Sequence, residues 1–191
     1  MKKLLNIKSR FSSIKGFTLI ELLIVIAVLG ILAAVVLVAI DPVEQLSRGR
    51  DAGRKTTIGQ LGRGLQAYYT SQSRFPTTGE MTNVNATNAL VVTGEIKNIP
   101  PGIQPSQGAV TCTLGSLIGA GVAPTFCYKV DAATAQVIIY TKVESKSELN
   151  KGACAGAWAS VWFVYSSFDG RAGTVNKASE PLTSDAPFTM C

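Results

Sequence analysis

Hydrophobic and polar positions divide this chain into three stretches with different periods. Residues 22–40 form an apolar run of nineteen residues in which Gly30 is the single non-aliphatic member. Such a run predicts a helix long enough to cross a hydrocarbon core. The buried helix of a soluble domain would keep a polar face, and this run has none. A removable secretory signal would be shorter and would end at a small-residue cleavage site, whereas Ala39-Ile40-Asp41-Pro42 leads straight into a charged segment. Asp41-Pro42 is expected to break or kink the helix, because proline lacks an N–H donor and clashes with the preceding turn. Over residues 43–74 the period becomes amphipathic, with Ile58, Leu61, Leu65 and Tyr68 on one apolar stripe. Gly49, Gly53, Gly59, Gly62 and Gly64 each weaken such a helix by about 1 kcal/mol, as devices for either close packing or stretching. Arg74-Phe75-Pro76-Thr77-Thr78-Gly79 ends it, and the chain then reads as loop with short apolar pieces to about Thr125.

The remainder alternates as strands do. Residues 126–130, 136–143, 159–168 and 174–177 are the strand-like runs, separated by turn chemistry at 131–134 and 169–173. They predict a four-stranded antiparallel meander with one apolar face, covered by the stripe of the second helix. Trp158, Trp162, Phe163 and Tyr165 are read as core and rim. The fold class is therefore α+β.

Composition narrows the chemistry. Of 191 residues, 47% are hydrophobic and 16% charged, which excludes a disordered chain. The net charge is +6, but Lys2, Lys3, Lys8, Arg10 and Lys15 supply five of it within the first sixteen residues, leaving the rest near neutral. Overall basicity is thus no argument for nucleic acid. Arg48, Arg50, Arg54, Lys55, Arg63 and Arg74 make the second helix locally basic against Glu44 and Asp51. A solvated or inter-subunit helix face accounts for that better than a nucleic-acid stripe, so DNA binding is compatible and not indicated. The absence of histidine removes Ser-His-Asp and Cys-His nucleophiles and imidazole zinc sites. Asp131, Glu144, Glu148 and Asp169 fall on expected turns and read as solvated loop charges, with calcium as the alternative. Asn85-Ala86-Thr87 is a sequon without an assigned role.

Cys112, Cys127, Cys154 and Cys191 are an even set with no C-x-x-C pair, which favours disulfides in an oxidising compartment over metal ligation. That places the bulk of the chain outside the cytoplasm and the N-terminus inside. Four cysteines pair in three ways; Cys112–Cys127 would close a local loop.

The stretch most specific for function is Lys15-Gly16-Phe17-Thr18-Leu19-Ile20-Glu21-Leu22. A basic leader, a glycine, a phenylalanine, a carboxylate four residues on and then an apolar helix closely resemble the class III signal of type IV pilins and pseudopilins. The resemblance covers about the first third of the chain. It implies that a prepilin peptidase cuts between Gly16 and Phe17 and methylates the Phe17 amine. It implies a type IV pilin fold, a long N-terminal helix packed on the four-stranded sheet. It also implies a Cys154–Cys191 bond like the C-terminal disulfide loop of many pilins. Glu21 stands out independently, because a carboxylate in an apolar segment costs several kcal/mol unless it is paired or reaches the interface. Either it snorkels at the membrane edge, or it receives the Phe17 amine of a neighbouring subunit. The family's usual proline comes nearer Val38, so Pro42 is about one turn late.

The expected organisation is a leader over 1–16, a membrane and filament-core helix over 17–40, its amphipathic continuation over 41–74 and an extracytoplasmic β-rich domain over 75–191. The function expected is structural, without catalysis, cofactor or metal. The chain would be the major subunit of a type IV pilus for adhesion, motility or DNA uptake, held in the inner membrane before assembly. Its partners would be identical subunits, the prepilin peptidase and the inner-membrane assembly machinery. A pseudopilin of a secretion or competence system, and an uncleaved membrane-anchored enzyme or binding domain, are the alternatives.

Overall fold

The computed structural model describes residues 16–103, 112, 116–118, 125–152 and 161–191. The chain divides into two compact units, Met1–Pro42 and Val43–Cys191.

In the first unit, α1 (Leu19–Ala39) is a 21-residue helix in which none of the residues is buried. Its end is local: Ile40 leaves the helical region while its N–H still reaches the Val36 carbonyl at 3.1 Å. Pro42 then opens the next helix at its first position, where a missing N–H breaks no helical bond. The break expected at Asp41-Pro42 lies there.

The second unit is built on α2 (Pro42–Gln72) and a sheet. Ser73, with φ of 55°, takes the left-handed position that stops α2, and its N–H closes on the Tyr69 carbonyl at 2.8 Å. The short α3 (Ala89–Val92) is capped by Asn88, whose side chain accepts the Leu90 N–H at 3.1 Å. The strands are β1 (Ser116–Ile118), β2 (Phe126–Asp131), β3 (Gln136–Lys142), β4 (Val161–Ser166) and β5 (Arg171–Asn176), with α4 (Lys146–Leu149) between β3 and β4. They pair antiparallel in chain order. The four expected strands are β2 to β5, and β1 adds a short edge strand in a stretch read as loop, with Leu117 opposite Cys127. β5 begins three residues earlier than expected because Gly170, at φ of 66°, already closes the turn.

Side chains alternate across the sheet as the pleat requires. Phe126, Tyr128, Val137, Ile139, Phe163 and Tyr165 share one core with Ile58, Leu61, Leu65 and Tyr68 of α2. The helix stripe thus covers this face. The other face is apolar too, which corrects the expectation of a single apolar face: Cys127, Ile138, Tyr140, Trp162, Val164 and Val175 pack with Phe188 and Met190. β4 is buried at all six positions because the C-terminal segment provides the second cover. Trp162 lies on that side, its Nε1 donating to the Lys177 carbonyl at 3.0 Å, while Trp158 lies outside the described residues.

Three of the five α2 glycines are contact points. A Cβ on Gly62 would stand 2.7 Å from the Tyr165 ring, one on Gly53 would stand 2.5 Å from Ile103, and one on Gly64 would stand 3.1 Å from Ile96. Gly49 faces open space, and Gly59 meets nothing nearer than 3.8 Å.

Candidate functional site

Gly16 and Phe17 precede α1 in non-helical backbone, both exposed, and a Cβ on Gly16 would meet nothing within 4 Å. Thr18 follows in extended backbone as the N-cap. Its hydroxyl accepts the Glu21 N–H at 3.3 Å, and the Glu21 carboxylate accepts the Thr18 N–H at 2.8 Å and the Thr18 hydroxyl at 2.9 Å. Thr18-x-x-Glu21 is therefore a capping box, which satisfies two donors that open a helix. The sequence reading gave Glu21 a snorkelling or inter-subunit role and missed this one, although a Thr three residues before a Glu at the head of an apolar run is its sequence signature. Within the chain the carboxylate already has partners, and they orient it toward the segment that begins at Phe17.

Behind that cap, α1 carries no other charge and presents aliphatic side chains on every side. It is long and apolar enough to cross a membrane by length and composition. At 1.5 Å per residue, about 20 residues match the roughly 30 Å of a hydrocarbon core.

The second unit holds its charges differently from expectation. The basic positions of α2 do not form one solvated face. Arg54 is 1% exposed and donates to Asp51 Oδ1 and Glu144 Oε1, both at 2.6 Å, and to the carbonyls of Ile103 and Lys142 at 2.9 and 3.2 Å. Arg50 reaches the same Glu144 at 2.6 Å. Asp51 accepts the Ser145 N–H at 2.8 Å, and Glu44 accepts the N–H groups of Lys146 and Ser147 at 2.9 and 3.2 Å. α2 thereby grips the β3–α4 connection and supplies carboxylates to the N-terminus of α4, where free N–H groups favour anions. Lys55 pairs with Glu148 at 2.6 Å and Arg74 with Glu80 at 2.8 Å. The spacing of Glu44, Arg48, Asp51 and Arg54 on one helix face was legible. Glu144, the partner of Arg50 and Arg54 about ninety residues away, was not.

The four carboxylates read as solvated turn charges are all engaged. Glu144 and Glu148 hold the α2 cations; Asp131 accepts the Ala133 N–H at 2.9 Å and Asp169 the Phe188 N–H at 3.2 Å. Among the described residues no group of three or more His, Cys, Asp or Glu is placed to hold a metal ion. Cys112 and Cys127 are disulfide-bonded with Cα atoms 5.6 Å apart, which ties residue 112 to β2. Cys191 is disulfide-bonded as well, and its N–H donates to the Thr174 carbonyl at 2.7 Å; Cys154 lies outside the described residues.

No curated protein and no solved structure matches the chain. Residues 11–37 match the family model described as the prokaryotic N-terminal methylation motif. That segment contains Gly16, Phe17, the capping box and most of α1, so the chain carries the class III signal of type IV pilins and pseudopilins.

Proposed function

We propose that this protein is the major subunit of a type IV pilus, a structural and non-catalytic chain that polymerises through α1 into an extracellular filament for adhesion, motility or DNA uptake. The observation that carries the reading is the continuity of the methylation motif at 11–37 with a helix that is apolar all round and unburied. A helix of that kind needs lipid or copies of itself to cover it.

On this reading residues 1–16 are a leader cut at Gly16–Phe17 by the prepilin peptidase, which methylates the new Phe17 amine. The subunit waits in the cytoplasmic membrane with its second unit outside. Inner-membrane assembly machinery then moves it from lipid into a bundle of α1 helices. Lipid and bundle are similarly apolar, so the transfer gains little by itself, and packing with polar contacts must fix the register. Glu21 supplies the polar contact. Its carboxylate, held by Thr18, receives the Phe17 amine of a neighbouring subunit, and each charge removes the other's burial cost. Breaking such a pair from one side costs about 3–5 kcal/mol.

The test separates charge from capping. Glu21→Gln retains a residue type that completes a capping box but loses the charge, whereas Thr18→Ala loses the cap and keeps the charge. Filament yield by electron microscopy is measured beside abundance in the membrane fraction. The reading expects Glu21→Gln and Glu21→Ala to remain in the membrane with few or no filaments, and Thr18→Ala to assemble at reduced yield. Normal filaments from Glu21→Gln would remove the ion pair from the mechanism. Short periplasmic assemblies without surface fibres in the native strain would favour a secretion pseudopilin.

A further inference from the structure

A groove of about 450 Å³ opens where the C-terminal half of α2 meets the ends of two hairpins, and nothing in the filament reading uses it. Its size falls in the range of small-molecule sites. Its apolar surface is aromatic: Tyr69 is 42% exposed and Phe168 56% exposed, and the Tyr69 and Phe75 rings pack 4.7 Å apart with a 32° tilt. Its polar surface is uncharged, lined by Gln66 and Thr70 of α2 and by Thr134, Gln136 and Ser167 of the hairpins.

Tyr165, on β4, lines the same groove at 5% exposure. Its hydroxyl is buried beside the Gln66 side chain, yet makes no hydrogen bond of ordinary geometry among the described residues. A buried hydroxyl without a well-placed protein partner is uncommon in a folded protein and is open to a polar group from outside the chain. Gly62 fixes it there, since the Tyr165 ring packs on the bare helix backbone at that residue.

We infer that this groove is a binding site for a neutral saccharide. Sugars offer apolar C–H faces that lie against aromatic rings, together with hydroxyls that both donate and accept. The groove answers each feature: exposed Tyr69 and Phe168 for the ring face, amides and hydroxyls for the hydroxyl groups, and the Tyr165 Oη as a waiting partner. The uncharged lining argues against phosphorylated, sulfated or nucleic-acid ligands, which are held chiefly by cations. The inference stands independently of filament assembly.

The experiment uses the full chain in phospholipid nanodiscs, because glycoside detergents would compete for the groove. Saturation-transfer difference NMR is recorded with N,N′-diacetylchitobiose, cellobiose and lactose as probes and with 3′-sialyllactose as the charged control. We expect transfer to the C–H protons of at least one neutral disaccharide. Phe168→Ala, which truncates an exposed ring, should lower that affinity about fivefold to tenfold. Tyr165→Phe should lower it while raising the thermal midpoint by about 2–4 °C, because an unsatisfied hydroxyl is removed; a purely structural tyrosine would not weaken binding. No transfer to any neutral probe, transfer that survives Phe168→Ala, unchanged affinity in Tyr165→Phe, or a preference for the sialylated control would each overturn the assignment.

Discussion

Arg54→Met tests whether the buried charges of the second unit act as a clamp. The substitution keeps much of the apolar stem and removes a guanidinium that is 1% exposed. Four hydrogen bonds are lost: two to carboxylates at 2.6 Å and two to backbone carbonyls at 2.9 and 3.2 Å. Removing one member of a buried pair costs about 3–5 kcal/mol, since the partner's charge remains desolvated. The lower end applies here, because Glu144 keeps Arg50 and Asp51 keeps the Ser145 N–H. A loss of about 3 kcal/mol, with a urea slope of about 1–3 kcal/mol/M, lowers the unfolding midpoint by about 1–3 M. Tryptophan fluorescence reports it, Trp162 being buried in the sheet's second core. Arg48→Met provides the contrast, because its pair with Glu44 is half exposed on the arginine side and such pairs contribute about 1 kcal/mol or less. An Arg54→Met loss below about 1 kcal/mol, or one equal to that of Arg48→Met, would refute the clamp.

The α2 glycines should separate into two classes. Gly62→Ala sets a methyl 2.7 Å from the Tyr165 ring and should destabilise by about 1–3 kcal/mol, whereas Gly49→Ala, in open space, should stabilise the monomeric chain by up to about 1 kcal/mol, both read from urea midpoints. Acid should unfold the second unit through its gripping carboxylates. Burial pulls Glu44 and Glu148 upward, but the Lys146 N–H and Arg48 outweigh it for Glu44, and Lys55 does so for Glu148, leaving both below the ordinary 4.5. Arg74 holds Glu80 at about 2. These folded values lie below the unfolded ones, so the stability they contribute is complete above about pH 4.5 and is lost as pH falls through the folded values. Thermal midpoints should therefore be flat between about pH 7 and pH 5 and drop toward pH 3, with a smaller drop in Glu44→Gln; an unchanged drop would remove Glu44 from that account.

What the sequence made legible was local. The apolar run, the break at Asp41-Pro42, the stripe Ile58, Leu61, Leu65 and Tyr68, and β2 to β5 all follow from period and turn chemistry within a few residues of each position. What it hid depends on contacts between distant segments. Phe188 and Met190 cover a sheet face that alternation alone left open, and uninterrupted apolar β4 was the available sign of two covers. Arg54 looked like a surface cation because its second carboxylate partner lies beyond β3. Near the candidate site, Glu21 was legible as an anomaly from its cost in apolar surroundings. Its bond to Thr18 is legible as well, from the three-residue spacing of a capping box at the head of the apolar run.

The central claim, that α1 begins a processed filament subunit, is tested most directly by the N-terminus of the protein recovered from sheared cell-surface filaments. Intact-mass spectrometry with N-terminal sequencing should find a chain that has lost its first sixteen residues and starts at an N-methylated Phe17. Filaments built from a chain that retains Met1 or Lys2, or one starting at an unmodified residue other than Phe17, would contradict the account.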